Sequence, residues 1–381
     1  GLARAGDDSA HGVAAALGAQ VHGREGRFAR ADAEFGNALD HVRDLFAAGV
    51  PVVGVCASGI LIRAVAPLLA DKVSEPPVVS VADDGSVVVP LLGGHRGANR
   101  LAGQIADALG AVSAVTTAGD VALGVALDAP PAGWRLVNPQ DAKGAMAALL
   151  SGQGATVSGD EDAPWLAGLP AGNGIHIACT THAQTIQTPN GLHFAPLRAI
   201  LGIGCARDCP PEEVAALVAD VLAEAGICRE AVHSVNTITL KGDEPAIIGA
   251  ARDLGVPMRL FEAEVLDAET PRLAHPSDVV FAEVGTHGVA EAAALAQGGA
   301  DATLVVEKRK TANATCALAM VPGPMVTLRG RSRGKLSVVG IGPGQAAWRT
   351  PEVSQLVAEA EELVGYGLYI DLLGPLAVGK D

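Results

Sequence analysis

Apolar and polar positions along the chain repeat one unit: a short β-branched run, a glycine-bearing loop, then Ala and Leu at helical spacing. Val52–Cys56 (VVGVC) reads as a buried strand, Ala57-Ser58-Gly59 as its turn, and Ile60–Leu69 as a helix. Val78–Val81 and Val87–Val89 read as two short strands, with Asp84-Gly85 as the hairpin signal between them. Leu101, Ile105, Ala108 and Leu109 fall on one helical face, which Gly110 would close as a C-terminal cap. Between Ala118 and Pro196 the pattern weakens. Ser151–Gly159 and Ala163–Gly174 are rich in Gly, Pro and small residues, which predicts a less regular middle segment with some short strands.

Regularity returns with a strand at Ile200–Cys205. Asp208 or Cys209 would cap the next helix, Pro210-Pro211 open it, and Glu212-Glu213 fill its first turn. Val214, Leu217, Val218, Val221 and Leu222 give that helix an apolar face. Val235–Thr239, Val279–Val284 and Thr303–Glu307 read as three further strands, with a helix at Gly288–Gln297 between the last two. Val321–Gly334, with its Pro, Gly and Arg residues, reads as a linker. Leu336–Gly344 (LSVVGIGPG) then predicts a strand entering a Gly-rich loop, and Glu352–Val364 a helix.

Composition narrows the class. The chain has 381 residues, 49% of them hydrophobic and 18% charged, enough for two or three packed domains. It contains 47 glycines but only 3% aromatics, a balance that suits Val/Leu/Ile/Ala sheets covered by helices. A net charge of −15 argues against nucleic acid, whose phosphates need a basic footprint. It leaves room for an anionic small molecule held by a local basic cluster. The six cysteines (56, 179, 205, 209, 228, 316) lack disulfide-scaffold spacing and contain no CxxC, so buried thiols in a reducing cytoplasm are expected, with no metal site. No apolar run is long enough for a membrane helix. The chain opens on Gly1 without an initiator methionine, and a preceding strand is expected.

Chemistry concentrates in loops after strands, where open α/β sheets bind ligands. In Gly93-Gly94-His95-Arg96-Gly97-Ala98-Asn99 the glycines let the backbone approach a ligand and the following helix start favours an anion. His95 can move protons, Arg96 can pair with a carboxylate, and Asn99 can contact a ligand or cap the helix. Ser58 sits in CASG rather than GxSxG, so a hydrolase elbow is not indicated. Arg63 and Lys72 lie nearby in sequence, as binding groups or surface charges. Gly202–Arg207, Lys241-Gly242-Asp243-Glu244 and Gly285–Glu291 are three more polar loops expected to converge on one crevice, whereas Glu307–Lys310 reads as a solvated face.

Together, VGVCASGILIRAVAPLLADK and VPLLGGHRGANRLAGQIADALGAVSAVTTAGD resemble the N-terminal and central parts of the CbiG family of cobalt-precorrin-5A hydrolases. LGIGCARDCPPEEV, NTITLKGDEPAI, VGTHGVAEAAALA and LVVEKRKTANATCALA resemble its C-terminal domain, which also exists alone as CobE. The resemblance runs from about Val50 to Met320 and is loose over 118–196. It implies a role in cobalamin biosynthesis: opening of a lactone on a ring-contracted cobalt corrinoid, then carbon–carbon cleavage that releases acetaldehyde. His95 and Glu244 are then the candidate catalytic acid/base groups. Arg63, Lys72 and Arg96 would neutralise the corrinoid's carboxylates. Gly93, Gly94, Asn99, Thr116, Thr117, Gly204, Cys205, Lys241 and His287 complete the candidate binding set.

Residues Lys335–Leu376 resemble the start of the precorrin-3B methyltransferase, a CobJ/CbiH-like tetrapyrrole methylase, through GIGPG (Gly340, Gly342, Pro343, Gly344) and VGYGLYIDLL. The resemblance implies S-adenosylmethionine for a full-length fused methylase, and no cofactor for the hydrolase beyond the cobalt its substrate carries. The expected architecture is α/β: two three-layer α/β domains with mainly parallel sheets (1–117 and 197–320), a less regular middle region (118–196), a linker (321–334) and a truncated methylase start (335–381). The expected partner is a small-molecule corrinoid intermediate, with other cobalamin-pathway enzymes and a homo-oligomer left open, and neither nucleic acid nor membrane. A non-catalytic CobE-like corrinoid binder and one part of a bifunctional methylase fusion are the competing readings.

Overall fold

The computed structural model describes residues 6–28, 30–71, 75–117, 123–183, 191–345 and 348–380, and only the backbone of His95. Lys72 lies outside the described residues. The fold is mixed α/β with mostly parallel strand pairing, in two compact units: residues 1–117 with 336–381, and residues 118–335.

In the first unit, helix α1 (Asp7–Leu17) precedes the short parallel pair β1 (His22–Arg24) and β2 (Ala33–Phe35), and α2 (Ala38–Ala47) follows, capped by the Asn37 side chain. The main sheet has the order β3 (Val52–Val55), β4 (Val78–Val81), β5 (Val87–Leu92), β6 (Val112–Ser113). Its β4–β5 hairpin turns at Asp84-Gly85, where Gly85 has φ 72°. Every residue of β4 is buried, as a strand covered on both faces requires. α1 and α4 (Ala98–Leu109) pack on one face through Val13, Ala102 and Ile105. α2 and α3 (Ser58–Val65) pack on the other through Phe46, Leu61 and Val65. α3 gives way to a 3₁₀ turn at Ala66–Leu68, where Pro67 interrupts the α pattern. Gly110 closes α4 in the left-handed conformation, as its position in the apolar pattern indicated. Its N-cap is Gly97, not Asn99, which lies inside the first turn.

In the second unit, residues 118–196 are more regular than their composition suggested. β7 (Trp134–Leu136), β8 (Ala155–Gly159), β9 (Ile175–Cys179) and β10 (Leu192–Pro196) form a sheet of order β7-β10-β9-β8, and α5 (Ala142–Leu150) packs on it. Trp165, in the Gly/Pro-rich part, is wedged edge-on against Trp134 and Phe194, so a few aromatics anchor what small residues alone would not.

The larger sheet is built from β11 (Ala199–Cys205), β12 (Val232–Ile238), β13 (Met258–Phe261), β14 (Thr303–Lys310), β15 (Ala314–Met320) and β16 (Arg331–Ser332). Its order is β14-β15-β11-β12-β13-β16, parallel across β11, β12 and β13 and antiparallel toward both edges. α6 (Pro211–Ala225) and α7 (Pro245–Leu254) cover one face. Pro210 is the N-cap of α6; neither Asp208 nor Cys209 fills that position, because Asp208 is held at φ 57° and Cys209 turns inward to burial. α8 (Ala263–Asp267) follows β13.

Val279–Val284, read as a strand from its β-branched residues, is instead a helix, α9 (Asp278–Val284). Its ends decide the matter. The Ser277 hydroxyl accepts from the Val280 amide, Asp278 sits in the first turn, and Gly285 closes the helix at φ 76°. The Gly285–Val289 loop therefore joins two helices rather than following a strand. Residues 321–334 run along this unit: Arg259 donates to the Arg329 carbonyl, Arg333 to the Gly242 carbonyl, and β16 pairs with β13.

The second face of the large sheet is covered by α10 (Ala290–Gly298), whose residues 290–297 are all buried. β11 alternates strictly: Leu201 and Ile203 face α6 and α7, while Ile200, Gly202 and Gly204 face α10. A Cβ on Gly202 would lie 1.8 Å from the Ala290 carbonyl oxygen and 2.9 Å from the Ala294 nitrogen. Helix backbone thus rests directly on strand backbone, which only glycine permits.

Leu336–Gly344, expected to form a strand, takes no place in any sheet. It finds no pairing partner, and Leu336 and Val338 are more than nine-tenths exposed. The helix expected at Glu352–Val364 is present but shorter, Pro351–Glu359.

Gly202→Ala is expected to destabilise the second unit by about 3 kcal/mol or more, because neither backbone can yield to the methyl group. Gly249→Ala, inside α7 with no atom within 4 Å of the new Cβ, should stabilise by about 1 kcal/mol from helix propensity alone. Thermal melts of the two variants should therefore shift in opposite directions.

Candidate functional site

In the first unit the loop after β5 has the geometry its glycines predict. Gly93 has φ 74°, and a Cβ there would meet the Pro77 backbone at 2.7 Å, so position 93 admits no side chain. The Gly93 carbonyl accepts from the Arg96 and Ala98 amides, folding Gly94–Arg96 into a 3₁₀ turn that aims the chain into α4. Asn99 donates to the Thr117 hydroxyl at 2.8 Å, tying the start of α4 to the end of the strand region. Arg96, Thr116 and Thr117 are exposed around this turn. Arg63 donates back to the Gly59 carbonyl of its own helix at 3.1 Å.

The same unit has a partly open cavity of about 900 Å³ whose walls combine apolar residues such as Val13, Leu17, Leu45 and Val53 with Gln20, Gln104, Glu361 and Lys380. His22 Nδ1 and His41 Nε2 meet 2.8 Å apart at its wall. Burial, then the neighbouring His22 ring, pushes His41 down to about 4, and burial also lowers His22.

In the second unit, the carboxyl ends of β11 and β12 gather charge. Glu244 is the N-cap residue of α7, followed by Pro245 at the first helical position, and its side chain is 0% exposed. Neither of its carboxylate oxygens has a hydrogen-bond partner among the described residues. Two cations stand beyond hydrogen-bond contact: Arg207 Nη1 at 3.5 Å and Lys241 Nζ at 3.8 Å from Oε2. Arg207 is held by Asp243 at 2.7 Å and by the Leu240 carbonyl. Cys205 lies alongside. Burial, then the Glu244 charge, pushes its thiol up to about 12, so it stays protonated. Gly204 faces the opposite way, its carbonyl accepting from the Thr315 hydroxyl.

A buried carboxylate without hydrogen bonds is costly, and in a folded protein it calls for an explanation. A second buried glutamate shows what satisfaction looks like. Glu291 accepts from the Ala274, His275 and Lys308 amides and from the His275 ring, all within 3.0 Å. Burial alone would raise its pKa, but these bonds outweigh it and hold the group below the usual carboxylate range. Glu291 is satisfied within the fold, whereas Glu244 has no hydrogen-bond partner among the described residues.

Of the residues singled out in the sequence, Cys205, Lys241 and Glu244 are brought together. His287 is engaged elsewhere, by Asp267 at 2.7 Å. Arg207 and Asp243 lay inside the quoted motifs without being chosen. Asp267 carried no local signal, because its partner is 20 residues away. Among the described residues no group of three or more His, Cys, Asp or Glu could hold a metal ion, and no helix is long and apolar enough to cross a membrane.

Comparison with known proteins identifies the family. The model described as cobalamin synthesis G N-terminal matches residues 40–120, and that described as cobalamin synthesis G C-terminus matches 199–319. The chain is similar to the cobalt-precorrin-5A hydrolase of Salmonella typhimurium, at 32% identity over 263 residues, 64% of this chain and 74% of that protein. The chain belongs to the cobalamin synthesis G family. The Sinorhizobium sp protein CobE is 44% identical over 151 residues, 40% of this cobalamin synthesis G chain and 91% of CobE. A shorter likeness, 47% over 49 residues, links 13% of the chain to 11% of the cobalamin biosynthesis protein CbiHC of Archaeoglobus fulgidus.

The His pair makes stability pH-dependent with a definite sign. The unfolded chain protonates His41 near 6.5 and the folded chain only near 4. The His41 contribution is thus complete above about pH 6.5 and is lost as pH falls through that window. Urea melts at pH 7.5 and pH 5 should show about 2 kcal/mol less stability at pH 5 from this group. His41→Gln should flatten the difference by that amount.

Proposed function

We propose that this chain hydrolyses cobalt-precorrin-5A in cobalamin biosynthesis, opening the lactone of the ring-contracted corrinoid and releasing acetaldehyde. The observation that carries the reading is the presence, in one chain, of both cobalamin synthesis G segments together with an unsatisfied buried carboxylate between cations at a sheet's carboxyl edge. Carbon–carbon cleavage needs a base for the alcohol that lactone opening creates. Glu244 fills that role. Its oxygen takes the hydroxyl proton, the C–O bond becomes the carbonyl of acetaldehyde, and the electron pair of the breaking C–C bond stays on the macrocycle. Arg207 and Lys241 hold peripheral carboxylates of the substrate. In the first unit, Gly93, Gly94, Arg96, Asn99, Thr116 and Thr117, with Arg63 and Lys72, are the corresponding carboxylate-binding groups, and His95 is a second proton carrier.

We further propose that residues 335–381 are the opening of a tetrapyrrole methylase, on the strength of their GIGPG and VGYGLYIDLL motifs and the short CbiHC likeness. The residues present do not fit S-adenosylmethionine. Gly340, Gly342, Pro343 and Gly344 are not seated at the end of a sheet strand, and a Cβ on Gly344 would meet Leu372 at 2.6 Å. No methyl transfer is assigned to them. The CobE likeness favours one alternative, a corrinoid binder without catalysis.

Incubation with cobalt-precorrin-5A should yield one acetaldehyde per corrinoid, read by a coupled alcohol dehydrogenase assay. Glu244→Gln should slow release on the order of 10²-fold or more while corrinoid binding, followed by its visible spectrum, stays within a few-fold. Tight binding without any acetaldehyde from the native protein would instead establish the CobE-like reading.

A further inference from the structure

The Asp267–His287 pair is a second piece of chemistry on the second unit. His287 Nδ1 lies 2.7 Å from Asp267 Oδ1, and the same oxygen also accepts from the His287 amide at 3.3 Å and the Thr270 hydroxyl at 3.1 Å. The His287 ring stacks on Phe281 with centroids 4.4 Å apart. These contacts fix the ring's position, plane and rotation.

They also fix its tautomer. The hydrogen bond from His287 holds the Asp267 carboxyl below its ordinary range, so Asp267 is an acceptor and Nδ1 must be the donor. Nε2 is left as the basic nitrogen. It faces Asp278, 3.6 Å away on a fully exposed side chain, and the imidazole itself is about one-quarter exposed. A carboxylate that orients imidazole through Nδ1, with Nε2 turned toward an exposed carboxylate at 3.6 Å, has the arrangement of the working half of a hydrolytic triad.

The pair's place in the fold suits this use. Two residues after His287, Val289 lies 3.4 Å from where a Cβ on Gly204 would stand, at the carboxyl end of β11. Val289 also packs in the cluster that holds Ile238, the last residue of β12. The loop carrying His287 therefore lies at the carboxyl end of β11 and β12, on the face that α10 covers.

We propose that His287 is the general base for lactone opening and that Asp267 is its positioning residue. This rests on the reading of the chain as a lactone-opening hydrolase. Nε2 takes a proton from water as the hydroxide oxygen bonds to the lactone carbonyl carbon. The ring C–O bond then breaks, and the Nε2 proton passes to the departing alkoxide. The net change is addition of one water, which leaves a carboxylic acid and the alcohol on which Glu244 acts.

The two bases serve different steps, so their variants stall at different compounds. With cobalt-precorrin-5A and the full chain, His287→Ala should slow turnover by about 10²- to 10⁴-fold. The corrinoid should accumulate at the mass of the intact lactone, whereas Glu244→Gln should accumulate the species one water heavier. Added imidazole should restore part of the His287→Ala rate. Asp267→Asn, which keeps the shape but accepts and donates differently, should lower kcat with little change in KM. Lactone opening at native rate by both His287→Ala and Asp267→Asn would overturn the assignment while leaving the hydrolase reading intact. Loss of opening together with loss of corrinoid binding, and no rescue by imidazole, would also overturn it, because that is the signature of a structural tie. A native protein that neither opens the lactone nor releases acetaldehyde would remove the hydrolase reading itself, and the assignment with it.

Discussion

The direct seating of α10 on β11 is the contact on which the second unit's chemistry depends. Gly202 leaves no room for a side chain between the strand and the Ala290 carbonyl, and a run of alanines through Ala296 keeps the helix equally thin. The close approach brings the amino end of α10 to Gly204, at the strand's carboxyl end. The Gly285–Val289 loop has to lie across the sheet edge as a consequence. A larger residue at 202 would push helix and strand apart and disturb the seating of Val289 against Gly204. Packing of the least polar part of the unit thus sets the position of its polar part.

Two buried glutamates on this unit show how burial and satisfaction separate structure from function. Both lose their water. Glu291 recovers it in hydrogen bonds from three amides and one imidazole, and in doing so ties α10 to the segment around His275 and to β14. Glu244 recovers only the longer-range field of Arg207 and Lys241. The difference is on the order of a few kilocalories per mole of unmade hydrogen bonding. A ligand that brings an O–H or N–H to Glu244 releases that strain on binding.

Much of this was legible in the residues themselves. The strands at Val52, Val78, Val87 and Ile200 could be read because β-branched runs end in glycine, and glycine is what a strand-to-helix turn needs. Gly93 is the clearest case, forced by both a positive φ and the Pro77 backbone. Val279–Val284 misled because a β-branched run was weighed above its flanking Ser277 and Gly285, and helix ends outweigh weak interior propensity over seven residues. Residues 118–196 looked irregular because their order rests on three aromatics distant in sequence, Trp134, Trp165 and Phe194. The site was legible as a set of loops but not as a geometry. Nothing in the spacing pairs Asp267 with His287 or turns Glu244 inward, because those facts are made by the packing of α7 and α8 against the sheet.

The charge balance imposes the last constraint. If a chain of net charge −15 is to bind a carboxylate-rich corrinoid, as proposed, it has to do so through cations whose effect is local, since its long-range field opposes the approach. At the edge of β11 and β12 those cations are not idle in the absence of ligand. Arg207 is paired with Asp243, and each holds the other in place. The two acidic partners differ in kind. Asp243 is about three-quarters exposed, so a substrate carboxylate can take its place on the guanidinium at the cost of one surface ion pair, worth about 1 kcal/mol or less. Glu244 is wholly buried and cannot be displaced. A carboxylate arriving at Arg207 would therefore exchange with Asp243 and not with Glu244. Exposure alone thus decides which of the two carboxylates gives way at the Arg207 guanidinium.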